Sequence, residues 1–90
     1  MSEVVDNPAR HRFELEVDGE TAFAEYRREG PSIVFTHTVV PEALSGRGIG
    51  SRLIRAALET VRAEGLKAVP QCPFVRAFIE KHPEEQDLLA

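Results

Sequence analysis

A β-branched run, three closely spaced glycines and a helical repeat follow one another in this chain: "SIVFTHTVV", "PEALSGRGIG" and "SRLIRAALETV". No other feature restricts the possible folds as much. Residues that favour strands crowd the first segment, and Pro41 ends it. From the second segment into the third, Ile49, Leu53, Ile54, Ala57, Leu58 and Val61 recur at helical spacing. Gly65 stands where a helix stop is expected, and "LKAVP" beyond it reads as a short buried strand. A strand, a helix and a strand in succession predict two parallel strands joined by a right-handed crossover, here from Ile33 to Val69.

The flanking segments complete the pattern. "RFELEV" alternates, with Phe13, Leu15 and Val17 on one side and Glu14 and Glu16 on the other. Asp18-Gly19 is a favoured tight-hairpin dipeptide, "TAFAEYR" reads as the return strand, and Gly30-Pro31 breaks it. Pro73 is expected to open a second helix, with Phe74, Phe78 and Ile79 turned to the core and Pro83 at its end. The predicted order is β-β-β-α-β-α, an α/β (α+β) chain with a mixed sheet. Its 90 residues suffice for one modest core, so a single domain over 1–90 is expected, with its core in 10–83.

Charge and composition narrow the function. The net charge of -4 lacks the basic excess of a general nucleic-acid binder. No apolar run approaches the ~18–20 residues that span a bilayer, and "MSEVVDNPAR" has neither the basic start nor the apolar stretch of a secretory leader. Cys72 is the sole cysteine, which excludes an intramolecular disulfide and argues against a thiolate metal site. A cytoplasmic protein is expected, with no metal, no nucleic acid and no membrane as partner.

The glycines lie where a strand passes into a helix N-terminus, whose unpaired N–H groups and partial positive charge suit an anion. Glycine there lets a phosphate approach bare backbone. The nucleotide-hydrolase loop needs Lys and then Ser or Thr after its last glycine, but Ser51-Arg52 follow Gly50. The dinucleotide fingerprint needs a glycine at Ser51. A third pattern that the loop resembles is Gln/Arg-x-x-Gly-x-Gly/Ala, with which the Gcn5-related N-acetyltransferases grip the pyrophosphate of coenzyme A. Gly48-Ile49-Gly50 fits its second half, with Ser45 in place of Gln or Arg.

With "DNPARHRFELEVDGE", "VFTHTVVPEALSGRGIGSRL", "GLKAVPQCPFVRAFIEKHPE" and the closing "DLL", the chain resembles the minimal Gcn5-related N-acetyltransferases of the YjdJ type. The resemblance covers almost everything from Asp6 to Leu89. It implies a reduced acetyltransferase fold without the helices that help form the acceptor site, acetyl-coenzyme A as cofactor, and transfer of acetyl to an amine. It implies that His37 and Cys72 flank the reacting thioester, with His37 as general base and Cys72 as acyl acceptor or proton donor. The parity of the third strand puts His37 on the same face as Ile33 and Phe35. The cofactor contacts implied are Thr38, Val39, Val40, Ser45, Gly46, Arg47, Gly48, Ile49, Gly50, Ser51, Pro73, Phe74, Phe78 and Lys81. Backbone N–H groups of Thr38 to Val40 are expected at the thioester carbonyl, and Lys81 and His82 near the 3′-phosphate.

Besides Ser45, two further positions depart from the family. Ile79 stands where larger relatives use a tyrosine to protonate the leaving thiolate, and Glu85 stands where an aromatic often follows "HPE". Arg52, Arg55 and Arg62 are expected on the wet face of the first helix. The alternative to an enzyme is a non-catalytic module that binds coenzyme A or a partner; a third reading keeps the glycines for a tight turn alone. The acceptor amine is not encoded in any motif, and a monomer or weak homodimer is expected.

Overall fold

The computed structural model describes residues 3–90. Five strands form one sheet in sequence order. They are β1 (Val5–Asn7), β2 (Arg12–Val17), β3 (Glu20–Glu29), β4 (Ser32–Val39) and β5 (Lys67–Pro70), with helices α1 (Ile49–Ala63) and α2 (Pro73–Lys81). The first four strands pair antiparallel. Only β4 and β5 are parallel, from Ser32↔Lys67 to Phe35↔Pro70. The strand–helix–strand unit read from the sequence is therefore present, with α1 as its connection. β1 was not expected: it is only three residues long, too short to show alternation.

Local chemistry explains the joints. Asp18 and Gly19 both take positive φ, 52° and 79°, which is the backbone of a two-residue hairpin turn matched to strand twist. At the end of α1, Leu66 N–H bonds to Val61 O at 3.0 Å and Gly65 N–H to Arg62 O at 3.1 Å. This double closure needs the left-handed residue that Gly65 supplies at φ 70°.

The core lies between one sheet face and the two helices. Leu53, Ile54, Ala57, Leu58 and Val61 of α1 and Val75, Phe78 and Ile79 of α2 pack with Phe13, Leu15, Ala22, Ala24, Tyr26, Ile33 and Phe35. Phe13 meets Tyr26 at 5.1 Å between ring centroids and Phe35 at 6.2 Å. One expectation is corrected here. Phe74 is 41 % exposed rather than in the core, because the buried stripe of α2 runs Val75, Phe78, Ile79 and leaves Phe74 at its margin. Beyond Pro83 a 3-10 segment, Pro83–Leu88, buries Glu85 and Leu88.

Arg62 is exposed, as expected of the wet face of α1. From there it also grips this C-terminal segment, donating to Asp87 Oδ2 at 2.7 Å, Asp87 Oδ1 at 3.0 Å and Glu85 Oε1 at 3.3 Å. Glu85, in the place of an aromatic, thus makes its C-terminal contact through charge. Ala90 N–H then bonds to Ala68 O at 3.0 Å, so the last residue lies along the outer edge of β5.

Among the described residues, neither α1 nor α2 nor any other helix packs on the opposite face of the sheet. Its row of facing residues runs Asn7, Arg12, Glu25, His37 across four strands, and the next runs Val5, Glu14, Phe23, Val39.

Candidate functional site

β4 outruns its parallel partner. Pairing with β5 stops at Phe35↔Pro70, while β4 continues to Val39. After Pro70 the chain turns away, and Cys72 N–H closes the ladder on Phe35 O at 2.9 Å. The backbone edge of β4 from Thr36 onward therefore has no strand beside it among the described residues. α2 begins at this fork, with Pro73 as its first residue.

Beside the fork stands the N-terminus of α1. Gly46 and Gly48 have φ of 79° and 70°, and Gly48 is the N-cap without any side-chain cap bond. The first helical bond is Arg52 N–H to Gly48 O at 3.1 Å. The N–H groups ahead of it thus have no partner within the helix, and no acidic side chain occupies the first turn. A Cβ at Gly48 would meet nothing within 4 Å; the glycine is needed there for its left-handed backbone.

Gly50 serves differently. A Cβ there would come within 2.6 Å of Phe74 Cζ, so the exposed Phe74 ring lies across bare helix backbone and joins the two helix starts. A pocket of about 290 Å³ results, lined by Val40, Leu44, Ser45, Gly46, Gly48, Ile49, Gly50, Ser51 and Phe74. A wider hollow of about 540 Å³ lies among Arg10, His11, Glu25, Arg27 and Thr36. Size does not choose between them. Only the smaller pocket has an uncapped helix N-terminus in its wall, and that is the chemistry an anion needs.

Eight of the residues named for the cofactor line this pocket together. Leu44 joins them unannounced; it is 1 % exposed and pins the short 3-10 turn before the glycines to the core. Arg47, Thr38, Val39, Pro73, Phe78 and Lys81 are not in the lining. Arg47 reaches back to the hairpin turn and donates to Asp18 Oδ2 at 2.9 Å. Phe78 is buried, stacked on His82 at 4.0 Å between centroids and under the Arg55 guanidinium at 5.4 Å. Lys81 is exposed at the far end of α2, about 10 Å along the helix from Phe74 at 1.5 Å per residue. Its neighbour His82 bonds through Nδ1 to Phe78 O at 2.7 Å.

Cys72 and Thr38 meet at the fork, Sγ to Oγ1 at 3.3 Å, and Cys72 is 4 % exposed. Thr38 faces Ala24 across the ladder, on the core side of the sheet. His37 does not join them. The β3–β4 register shifts between Glu25 and Tyr26: Tyr26 pairs with Phe35, and Glu25 with His37. Thr36 is the extra residue of a bulge, and its Oγ1 donates to Glu25 O at 3.3 Å. One inserted residue reverses the parity of everything after it. The expectation that His37 shares a face with Ile33 and Phe35 is overturned: it is exposed on the helix-free face, opposite Glu25.

The sole tyrosine is committed elsewhere. Tyr26 donates to Asp6 Oδ1 at 2.5 Å, and burial, with the Asp6 carboxylate behind it, pushes its hydroxyl up to about 12. Among the described residues no cluster of His, Cys, Asp and Glu is arranged to hold a metal ion. No helix among them is long and apolar enough to cross a membrane.

Comparison with known proteins identifies these elements collectively. A family model described as GCN5-related N-acetyl-transferase matches residues 12–88. Protein NATD1 of Mus musculus is 37% identical over 82 residues, covering 88% of this chain and 74% of that protein. NATD1 of Danio rerio is 35% identical over the same length, with 88% and 74% covered. Among solved structures, a GCN5-like protein of Staphylococcus aureus assigned as an N-acetyltransferase superposes with a TM-score of 0.76. That match has 28% identity and covers 100% of this chain and 91% of the other.

Proposed function

The chain belongs to the GCN5-related N-acetyltransferase family, and on that footing we propose that it binds acetyl-coenzyme A at the glycine pocket and acetylates a primary amine. The single observation that carries this is the uncapped start of α1, with left-handed Gly46 and Gly48, opening beside the unpaired edge of β4. The residues fit the group. The α1 N–H donors and Gly46 to Ser51 would hold the pyrophosphate, with Phe74 and Val40 as apolar walls. The open edge of β4, through Thr38, Val39 and Val40, would take the chain that leads to the thioester. Once bound, the cofactor supplies an activated acetyl group.

The remaining roles belong to side chains of this protein. His37 accepts the proton that the amine loses as its nitrogen attacks; an exposed imidazole on the helix-free face is open to an acceptor arriving from that side. Backbone N–H groups of Thr38 to Val40 stabilise charge on the carbonyl oxygen. With Ile79 unable to donate and Tyr26 held by Asp6, Cys72 holds the proton for the departing sulfur, and the Thr38 hydroxyl stands behind it as relay. Arg47, Pro73, Phe78 and Lys81 remain outer contacts in this reading, and the protein works in the cytoplasm as one domain, a monomer or weak homodimer.

Calorimetric titration of acetyl-coenzyme A into wild type and Gly48→Val tests the binding step. Valine at φ 70° is strained, so the loop must rearrange and affinity is expected to fall at least ~10-fold, while circular dichroism shows the fold intact. Equal affinity in two folded proteins overturns the site. Intact mass after incubation tests Cys72: no acetyl adduct, with slower thiol release in Cys72→Ala, is the expected pair of results. An adduct on wild type that is lost in Cys72→Ser makes it the acyl acceptor instead.

A further inference from the structure

The bulge at Thr36 does more than turn His37 outward. It sets His37 directly opposite Glu25, and side chains so placed have Cβ atoms about 4.5–5.5 Å apart. Glu25 is half-buried, and among the described residues its carboxylate has neither an ion pair nor a hydrogen bond. Arg10 and His11 line the same hollow, but neither is paired with Glu25, and the three guanidinium groups nearest in the ladder are engaged elsewhere. Arg12, its neighbour on β2, donates through Nε to Glu14 at 2.6 Å and lies over the Phe23 ring at 4.2 Å. Arg27 pairs with Glu29, and Arg28 with Glu64 at 3.3 Å and Asp6 at 3.6 Å. The row Arg12–Glu25–His37 therefore leaves one free carboxylate facing one imidazole.

We propose that Glu25 is the positioning residue for His37, accepting a hydrogen bond from one ring nitrogen so that the other keeps its lone pair toward the acceptor amine. The inference rests on the reading of His37 as the base. The two side chains do not touch in the structure; ordinary side-chain rotation closes the gap, and catalytic pairs commonly tighten in the working complex. Fixing one tautomer is the gain, since an imidazole that presents N–H to the amine cannot take its proton. As the nitrogen–carbon bond forms, the amine proton passes to His37, and the charge of the resulting imidazolium faces the Glu25 carboxylate. Glu25 itself gains no proton.

Two readouts test this. Imidazole nitrogen chemical shifts report the tautomer without any turnover. Wild type should show one dominant tautomer for His37, and Glu25→Gln a mixture. Turnover of acetyl-coenzyme A with n-butylamine as probe should then fall ~10- to 100-fold in kcat for Glu25→Gln with KM little changed, and Glu25→Asp should recover part of it. In a His37→Gln background, Glu25→Gln should cost nothing further. An unchanged tautomer in Glu25→Gln, or an equal loss with and without His37, overturns the pairing. Full turnover in His37→Gln overturns the base assignment itself, whereas a loss in His37→Gln with none in Glu25→Gln removes only Glu25.

Discussion

The Tyr26 hydroxyl is the only phenol in the chain, which makes its environment directly readable. Burial and the Asp6 carboxylate raise it from 10.0 to about 12. A raised value means that the neutral phenol is the stabilising form. That contribution is complete below pH 10 and is lost as pH climbs through the folded-state value. Near-UV absorbance should therefore show a phenolate midpoint well above 10.0, and a midpoint at the ordinary value would contradict the half-buried Tyr26–Asp6 bond. Tyr26→Phe removes that bond and should cost about 1 kcal/mol in denaturant unfolding. Gly50 is the second residue with a sharp consequence. Ala there needs Phe74 to move from 2.6 Å, and Phe74 is exposed enough to swing away. Helix propensity favours Ala by up to about 1 kcal/mol, so Gly50→Ala should change stability by less than that. Affinity for acetyl-coenzyme A should still fall as the pocket loses a wall. Parallel calorimetry and thermal unfolding separate the two effects.

At the scale of elements, the C-terminal segment behaves as a strap closed by charge. The Arg62 guanidinium holds the Asp87 carboxyl below its ordinary 3.8. A lowered value means that the bonded form is stabilising above pH 3.8 and is lost as pH falls through the still lower folded-state value. Protection of Leu88 to Ala90 against hydrogen exchange, taken relative to the free-chain rate at each pH, should be high at neutral pH, fall with acidification below 3.8 as Asp87 protonates, and be low at every pH in Arg62→Ala. Unchanged protection in that variant would show that Leu88 alone holds the strap. This element was hidden in the sequence, because "HPEEQDLL" looks like a polar end and its buried carboxylate is recognisable only once Arg62 is seen beside it. The hairpin, α1, Gly65 and β5 were all legible, since each carries local chemistry: a turn dipeptide, a periodic stripe, a left-handed stop. The bulge was not. "IVFTHTV" contains no glycine to mark an irregularity, and the shift is set by pairing with β3, which a strand read alone cannot reveal. That one residue decided the face of His37. For the site, the glycines were legible as an anion loop, but the division of labour among them was not: Gly46 and Gly48 supply backbone angle, and Gly50 supplies room for Phe74.

Across the whole molecule, the sheet divides the work. One face is filled by both helices and the core, and truncation of a central residue such as Leu53, 0 % exposed, to Ala should cost about 2–5 kcal/mol. The other face, free of helices among the described residues, carries His37 and Glu25. The fork between β4 and β5 lies where the two faces communicate, with the glycine pocket on the core side and Cys72 between. In this account the cofactor enters from one side and the amine from the other. The most direct test is a two-dimensional amide NMR titration of the labelled protein with coenzyme A. The account predicts that the largest shifts fall on Ser45 to Ser51, Thr38 to Val40, Cys72 and Phe74. Shifts centred on the hollow around Arg10, Glu25 and Arg27, or no shifts at saturating ligand, would contradict it.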